Sequence, residues 1–142
     1  MKSFRLFREI EGHPDGLYRA LVRVVHEATE RAEAPLFVPL TAESGQTTLI
    51  PVDLRASSVA GIVNLKLKPH GAEAGDRFPL FQGTLECVEA RGRGPAIRMR
   101  GTYLVPLARG RAQRSVQARK RAEEALEAFL ETLMHEAERR VA

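Results

Sequence analysis

The feature that most constrains this chain is a short glycine-rich connection, Ala90-Arg91-Gly92-Arg93-Gly94, between two alternating stretches, 81–89 and 95–105. Two such stretches around a tight glycine turn read as a β-hairpin. Folding about Gly92 sets Phe81 opposite Tyr103, Gly83 opposite Gly101, Leu85 opposite Met99 and Cys87 opposite Ile97, all on one face. The other face then pairs Gln82 with Thr102, Thr84 with Arg100, and Glu86 with Arg98, the last an opposite-charge pair. A slip of one residue would set the apolar side of one strand against the polar side of the other. One apolar and one polar face define an antiparallel sheet with a single solvated side.

The apolar face needs a cover. Residues 115–139 read as a long helix, with Ala122, Ala125, Leu126, Phe129, Leu130, Leu133, Met134 and Ala137 forming a continuous stripe at helical spacing. About 25 residues at 1.5 Å each make a rod of roughly 37 Å, enough to cross a sheet. Its other side is rich in glutamate: Glu123, Glu124, Glu127, Glu131 and Glu138.

The rest of the chain supplies further strands and one more helix. Residues 4–10 alternate around Phe4, Leu6 and Ile10 and suit a first strand. The turn cluster Gly12-His13-Pro14-Asp15-Gly16 leads into a helix from Leu17 to about Ala34, stopped by Pro35. Residues 36–41 contain Pro39 and form an edge strand at most; Leu36, Phe37 and Val38 are candidates for an exposed interface. Residues 47–55 and 62–68 alternate as strands, and 56–61 read as a small-residue loop. The order is strand, helix, about five sequential strands, and a long helix. That order gives an α+β fold in which a curved antiparallel sheet of about six strands grips the C-terminal helix. Residues 1–142 make one domain of a size that buries roughly 68–70% of its unfolded surface. Facing glycines on the core side, Gly83 and Gly101, either let the sheet coil sharply or leave space beneath it.

The stretch Phe81-Gln82-Gly83-Thr84-Leu85-Glu86, then Ile97 to Pro106 and the terminal helix, resembles the last third of bacterial members of the START-like superfamily, also called SRPBCC or polyketide cyclase-like. The matching residues are Phe81, Gly83, Leu85, Gly101, Tyr103 and Pro106. The resemblance implies the helix-grip fold. It also implies a binding protein for a hydrophobic or lipid-like small molecule, held between sheet and helix by Phe81, Leu85, Met99, Tyr103, Phe129 and Leu133. Apolar enclosure would supply most of the affinity and one or two polar groups the orientation.

Charge points to a second function. From Arg91 to Ala122 there are ten basic residues and no acidic one, while the remainder holds 12 Lys or Arg against 18 Asp or Glu. The segregated field offers an alternative: binding of nucleic acid or an anionic membrane through Arg109, Arg111, Arg114, Arg119, Lys120 and Arg121. Against nucleic acid stands the lack of interleaved aromatics, since Tyr103 alone lies in the segment. The same basic side chains at the start of the helix oppose its dipole.

No constellation for catalysis is legible. There is no phosphate-cradling glycine loop and no nucleophile elbow around Ser57 or Ser58. His26-Glu27 and His135-Glu136 lack a second histidine four residues on, and the four histidines are scattered, so no metal site or cofactor is expected. Asp53 and Glu89 are placed inward by alternation, at strand ends that solvent reaches. Cys87 is expected in the core beside Ile97 and Leu85, as an inert small hydrophobe. Tyr103, an inner-face ring whose hydroxyl needs a partner, is expected to tie helix to sheet or to orient a ligand. A single cysteine and the absence of an apolar run of about 18 residues point to a cytoplasmic protein without a transmembrane segment.

Overall fold

The computed structural model describes residues 1–11, 14–31, 35–42, 44–71, 77–90, 92, 94–105 and 116–141. The elements are β1 (Lys2–Glu9), α1 (Pro14–Glu30), β2 (Leu36–Thr41), β3 (Thr47–Val59), β4 (Ile62–Pro69), β5 (Leu80–Ala90), β6 (Gly94–Leu104) and α2 (Val116–Val141). All six strands form one antiparallel sheet in the order β1-β6-β5-β4-β3-β2. The architecture is the expected α+β helix-grip arrangement, with α2 packed against the curled sheet.

The β5–β6 register is the one expected from folding about Gly92, with Phe81 opposite Tyr103, Gly83 opposite Gly101 and Leu85 opposite Met99. Its two glycines answer the question the sequence leaves open. A Cβ on Gly83 would lie 2.6 Å from Phe81 Cζ and 2.8 Å from the Cα of Gly101, and one on Gly101 would lie 2.6 Å from the Cα of Gly83. The strands approach so closely on the inner side that no side chain fits, and the Phe81 ring fills the notch. The glycines serve the coil of the sheet, not a void beneath it.

All eight residues of the α2 stripe are buried. Each large one contributes on the order of 1.5–3 kcal/mol by leaving water. The cover is shared, however. Leu17, Ala20, Leu21, Val24 and Val25 of α1 are also buried, and α1 lies against α2 and β3. The close backbone approaches of α2 are to α1 and the edge strand β2. Between α2 and the central strands the distance is bridged mostly by side chains. Phe78, in the turn before β5, completes the core.

Several expectations are corrected. Residues 56–59 continue β3 instead of forming a loop. The turn that follows has only two central residues, Ala60 (φ 53°) and Gly61 (φ 80°), both left-handed as a tight hairpin turn requires. The turn is hidden in the sequence because alanine stands where asparagine or glycine usually signals it. Val38 points into the core, leaving Phe37 as the exposed member of its trio. Pro39 sits in β2, an edge strand, as proline demands.

Candidate functional site

The six residues expected to line a binding space come from three elements: Phe81 and Leu85 from β5, Met99 and Tyr103 from β6, Phe129 and Leu133 from α2. The structure gathers all six into one contiguous buried cluster. Alternation on the two strands turns them inward, and the spacing of α2 turns its pair toward them. Phe4 of β1 meets Phe81 and Tyr103 edge-on, with ring centroids 6.2 Å and 6.3 Å apart. None of the six exceeds 3% exposure.

One polar group enters this apolar region. The Tyr103 hydroxyl donates to Glu123 Oε2 of α2 at 2.7 Å. Burial raises the phenol above its usual range and the Glu123 bond adds to the rise, while Arg119 alongside opposes it. Tyr103 therefore ties sheet to helix, one of the two roles its sequence context allows. Farther along, Arg8 Nε of β1 lies 2.7 Å from Glu131 Oε1, an ion-pair distance without hydrogen-bond alignment. At the far end of α2, Arg140 donates to Glu27 of α1 at 2.6 Å and to Glu136 at 3.3 Å. The second tyrosine plays a comparable part. The Tyr18 hydroxyl of α1 donates to the Gly61 carbonyl at 2.6 Å, tying α1 to the β3–β4 turn.

Cys87 is a correction. It keeps its register opposite Ile97 and lies on the inner side, but beyond the cover of the helices, so it is exposed. Partial burial, then Asp15 and Glu89, push its thiol up, which keeps it protonated at neutral pH. Asp53 is a second correction: it faces outward, 2.8 Å from His70 Nδ1. Glu89 is exposed. His26 Nε2 meets the Ser58 hydroxyl at 3.0 Å, a tie between α1 and β3. Among the described residues no group of three or more His, Cys, Asp or Glu is placed to hold a metal ion.

The basic segment is divided. Arg109, Arg111 and Arg114 lie outside the described residues. Arg119, Lys120 and Arg121 are exposed on the first turns of α2. Arg98 and Arg100 stand on the outer face of the sheet, where Arg98 donates to Glu86 through Nε at 3.0 Å and through its terminal nitrogen. No helix among the described residues is long and apolar enough to cross a membrane.

Sequence reasoning misses a concavity on the outer face of the sheet. It has a volume of about 420 Å³ and is lined by Arg55, Lys66 and Lys68 together with Asp53, Leu80 and Leu104. A shallower hollow of about 230 Å³ shares Arg55 and Lys66 with it and extends past Ser57 and Asn64. The alternation of β4 does assign Lys66 and Lys68 to the polar side. What it lacks is the Ala60-Gly61 turn, which fixes Arg55 opposite Lys66.

No protein-family model and no curated protein matches the chain. Among the solved structures similar to it are two that match along nearly their whole length. The Thermus thermophilus protein TTHA0849 superposes with a TM-score of 0.52 at 15% sequence identity, covering 99% of this chain and 100% of that one. The Mesorhizobium loti protein MLL2253 gives a TM-score of 0.48 at 17% identity, over 97% and 98% of the two chains. At such identities the likeness to TTHA0849 speaks for a shared fold.

Proposed function

We propose that the chain is a START-like binding protein for a hydrophobic or lipid-like small molecule taken up between the sheet and α2. The observation that carries this reading is the make-up of the sheet–helix seam. Six large apolar side chains from β5, β6 and α2 meet in one cluster, where the Tyr103 hydroxyl donates to Glu123 of α2 and the Tyr18 hydroxyl of α1 reaches the Leu85 carbonyl at 3.2 Å. α2 approaches α1 and β2 closely with its backbone but reaches the central strands through side chains. Moving the N-terminal half of α2 outward would release the Tyr103–Glu123 bond and open apolar contacts, which an apolar ligand replaces in kind. The Tyr103 hydroxyl and Glu123 carboxylate, released from each other, would then meet the polar end of the ligand.

The test is native mass spectrometry of the purified protein before and after organic extraction, followed by thermal unfolding with added oleate and dodecanol. Bound ligand should appear as a discrete added mass and raise the unfolding temperature by mass action. Leu133→Trp, which fills the same space, should remove both effects while the circular dichroism spectrum is retained. A protein that carries no adduct and whose unfolding temperature ignores both compounds would sink the reading.

A further inference from the structure

The outer face of the sheet carries an arrangement that folding alone does not favour. Arg55 of β3 and Lys66 of β4 are direct cross-strand partners, and Lys68, two residues along on the same face, stands opposite Asp53. Directly opposed like charges destabilise a sheet. No side chain of the three forms a hydrogen bond or ion pair among the described residues, whereas the nearby carboxylate of Asp53 is engaged by His70 at 2.8 Å. All three line the concavity of about 420 Å³, a volume within the range of small-molecule sites. Gln82 and Thr102, cross-strand partners on β5 and β6, add uncharged hydrogen-bonding groups. Leu80 and Leu104, also partners, form an apolar end.

From this combination we propose that the outer groove is a binding site for a phosphomonoester with an apolar organic part, an alkyl phosphate in chemical class. Among the lining side chains, three cations against one carboxylate leave two positive charges in excess, which suits the charge of about −1.5 to −2 on a phosphomonoester near neutral pH. Arg55 supplies a planar fork for two phosphate oxygens, and Lys66 and Lys68 supply point charges beside it. The bound anion would relieve the repulsion between Arg55 and Lys66, so occupancy and sheet stability rise together. The groove has no exposed aromatic ring among its lining residues, which disfavours nucleic acid held by base stacking. Phe81 of the sheet–helix seam also borders the groove, but the charged pair Arg55 and Lys66 stands on the other face of the sheet, and the proposal holds whether or not the seam takes a ligand.

The experiment is calorimetric titration of the whole protein with hexyl phosphate at low salt. Inorganic phosphate, hexanoate and vesicles of anionic phospholipid serve as separate arms. Hexyl phosphate should bind more tightly than inorganic phosphate or hexanoate, and Lys66→Gln and Arg55→Gln should each weaken it by about tenfold or more. The same two variants should unfold at an unchanged or higher temperature in the absence of ligand, because each removes a like-charge pair. That pattern separates a binding role from a structural one. Absence of binding up to about 1 mM, an affinity of only about −4 kcal/mol, would overturn the proposal. So would equal binding by Lys66→Gln, or binding confined to vesicles. Leu133→Trp should leave the titration as it is.

Discussion

At the scale of single residues, the backbone decides more than the side chains do. Gly83 is held by the approach of β6, and an added Cβ would collide with backbone atoms of Arg100 and Gly101 as well as the Phe81 ring. Backbone cannot swing aside as a side chain can. Gly83→Ala should therefore cost about 3 kcal/mol or more, within the range of severe core disruption, read as a fall in the urea midpoint. Ala60 is the opposite case. It adopts φ 53° with a Cβ that disfavours it, and left-handed backbone costs an L-residue roughly 1–2 kcal/mol. Ala60→Gly should raise stability by about 0.5–1 kcal/mol after the extra chain entropy of glycine is deducted. Both glycines of the β5–β6 pair stand out in the sequence as a bend or a void, and only the measured approach of the two backbones separates those alternatives. Cys87 eludes sequence reasoning for a related reason: alternation names the face of a residue, not how far the cover over that face extends.

At the scale of elements, legibility follows the strength of local pattern. The β5–β6 hairpin is readable to the residue, because apolar, glycine and opposite-charge pairs agree on one register. The α2 stripe is readable because eight residues keep helical spacing from Ala122 to Ala137. The role of α1 as a second cover is not, since its β-branched run gives a mixed signal and nothing local reveals which faces meet. The outer-face charges are likewise invisible until β3 and β4 are paired. On that face Arg98 and Arg100 converge on Glu86, and Arg5 stands directly opposite Arg100. Glu86 is thus the counterion that lets β1, β6 and β5 lie side by side. Glu86→Ala should cost about 1–2 kcal/mol, between an exposed ion pair and a buried charged hydrogen bond. Arg100→Thr, which relieves the Arg5 repulsion and leaves Arg98 on Glu86, should be close to neutral. Urea midpoints of the two variants check this, and a larger loss in Arg100→Thr would contradict the assigned roles.

At the scale of the whole molecule, the polar ties of the helices and the tyrosines set a pH window for stability. Glu136 is held at about 2, chiefly by its hydrogen bond to Arg139, with Arg140 also contributing. Glu27 is lowered as well, first by its hydrogen bond from Arg140. A carboxylate whose folded pKa is depressed stabilises above its unfolded value, about 4.5, and loses that contribution as pH falls toward the folded value. The alkaline side runs through the tyrosines, of which the chain has two. Both are raised from 10.0, Tyr18 and Tyr103 alike chiefly by burial. The unfolded phenols lose protons near 10 while the folded ones retain theirs, so stability is complete below about 10 and declines above it. The expected profile is a plateau with an acid limb beginning below about 4.5 and an alkaline limb beginning above about 10. The two limbs have different physics. The acid limb rests on exposed ion pairs and should shrink in 1 M salt, where charges are screened within about 3 Å. The alkaline limb rests on desolvation and should persist. Phenolate absorbance at 295 nm should lag the free-tyrosine curve until the protein unfolds. A half-titrated pair at pH 10 in folded protein would show that neither hydroxyl is sheltered, and that α1 and α2 do not close on the sheet as described.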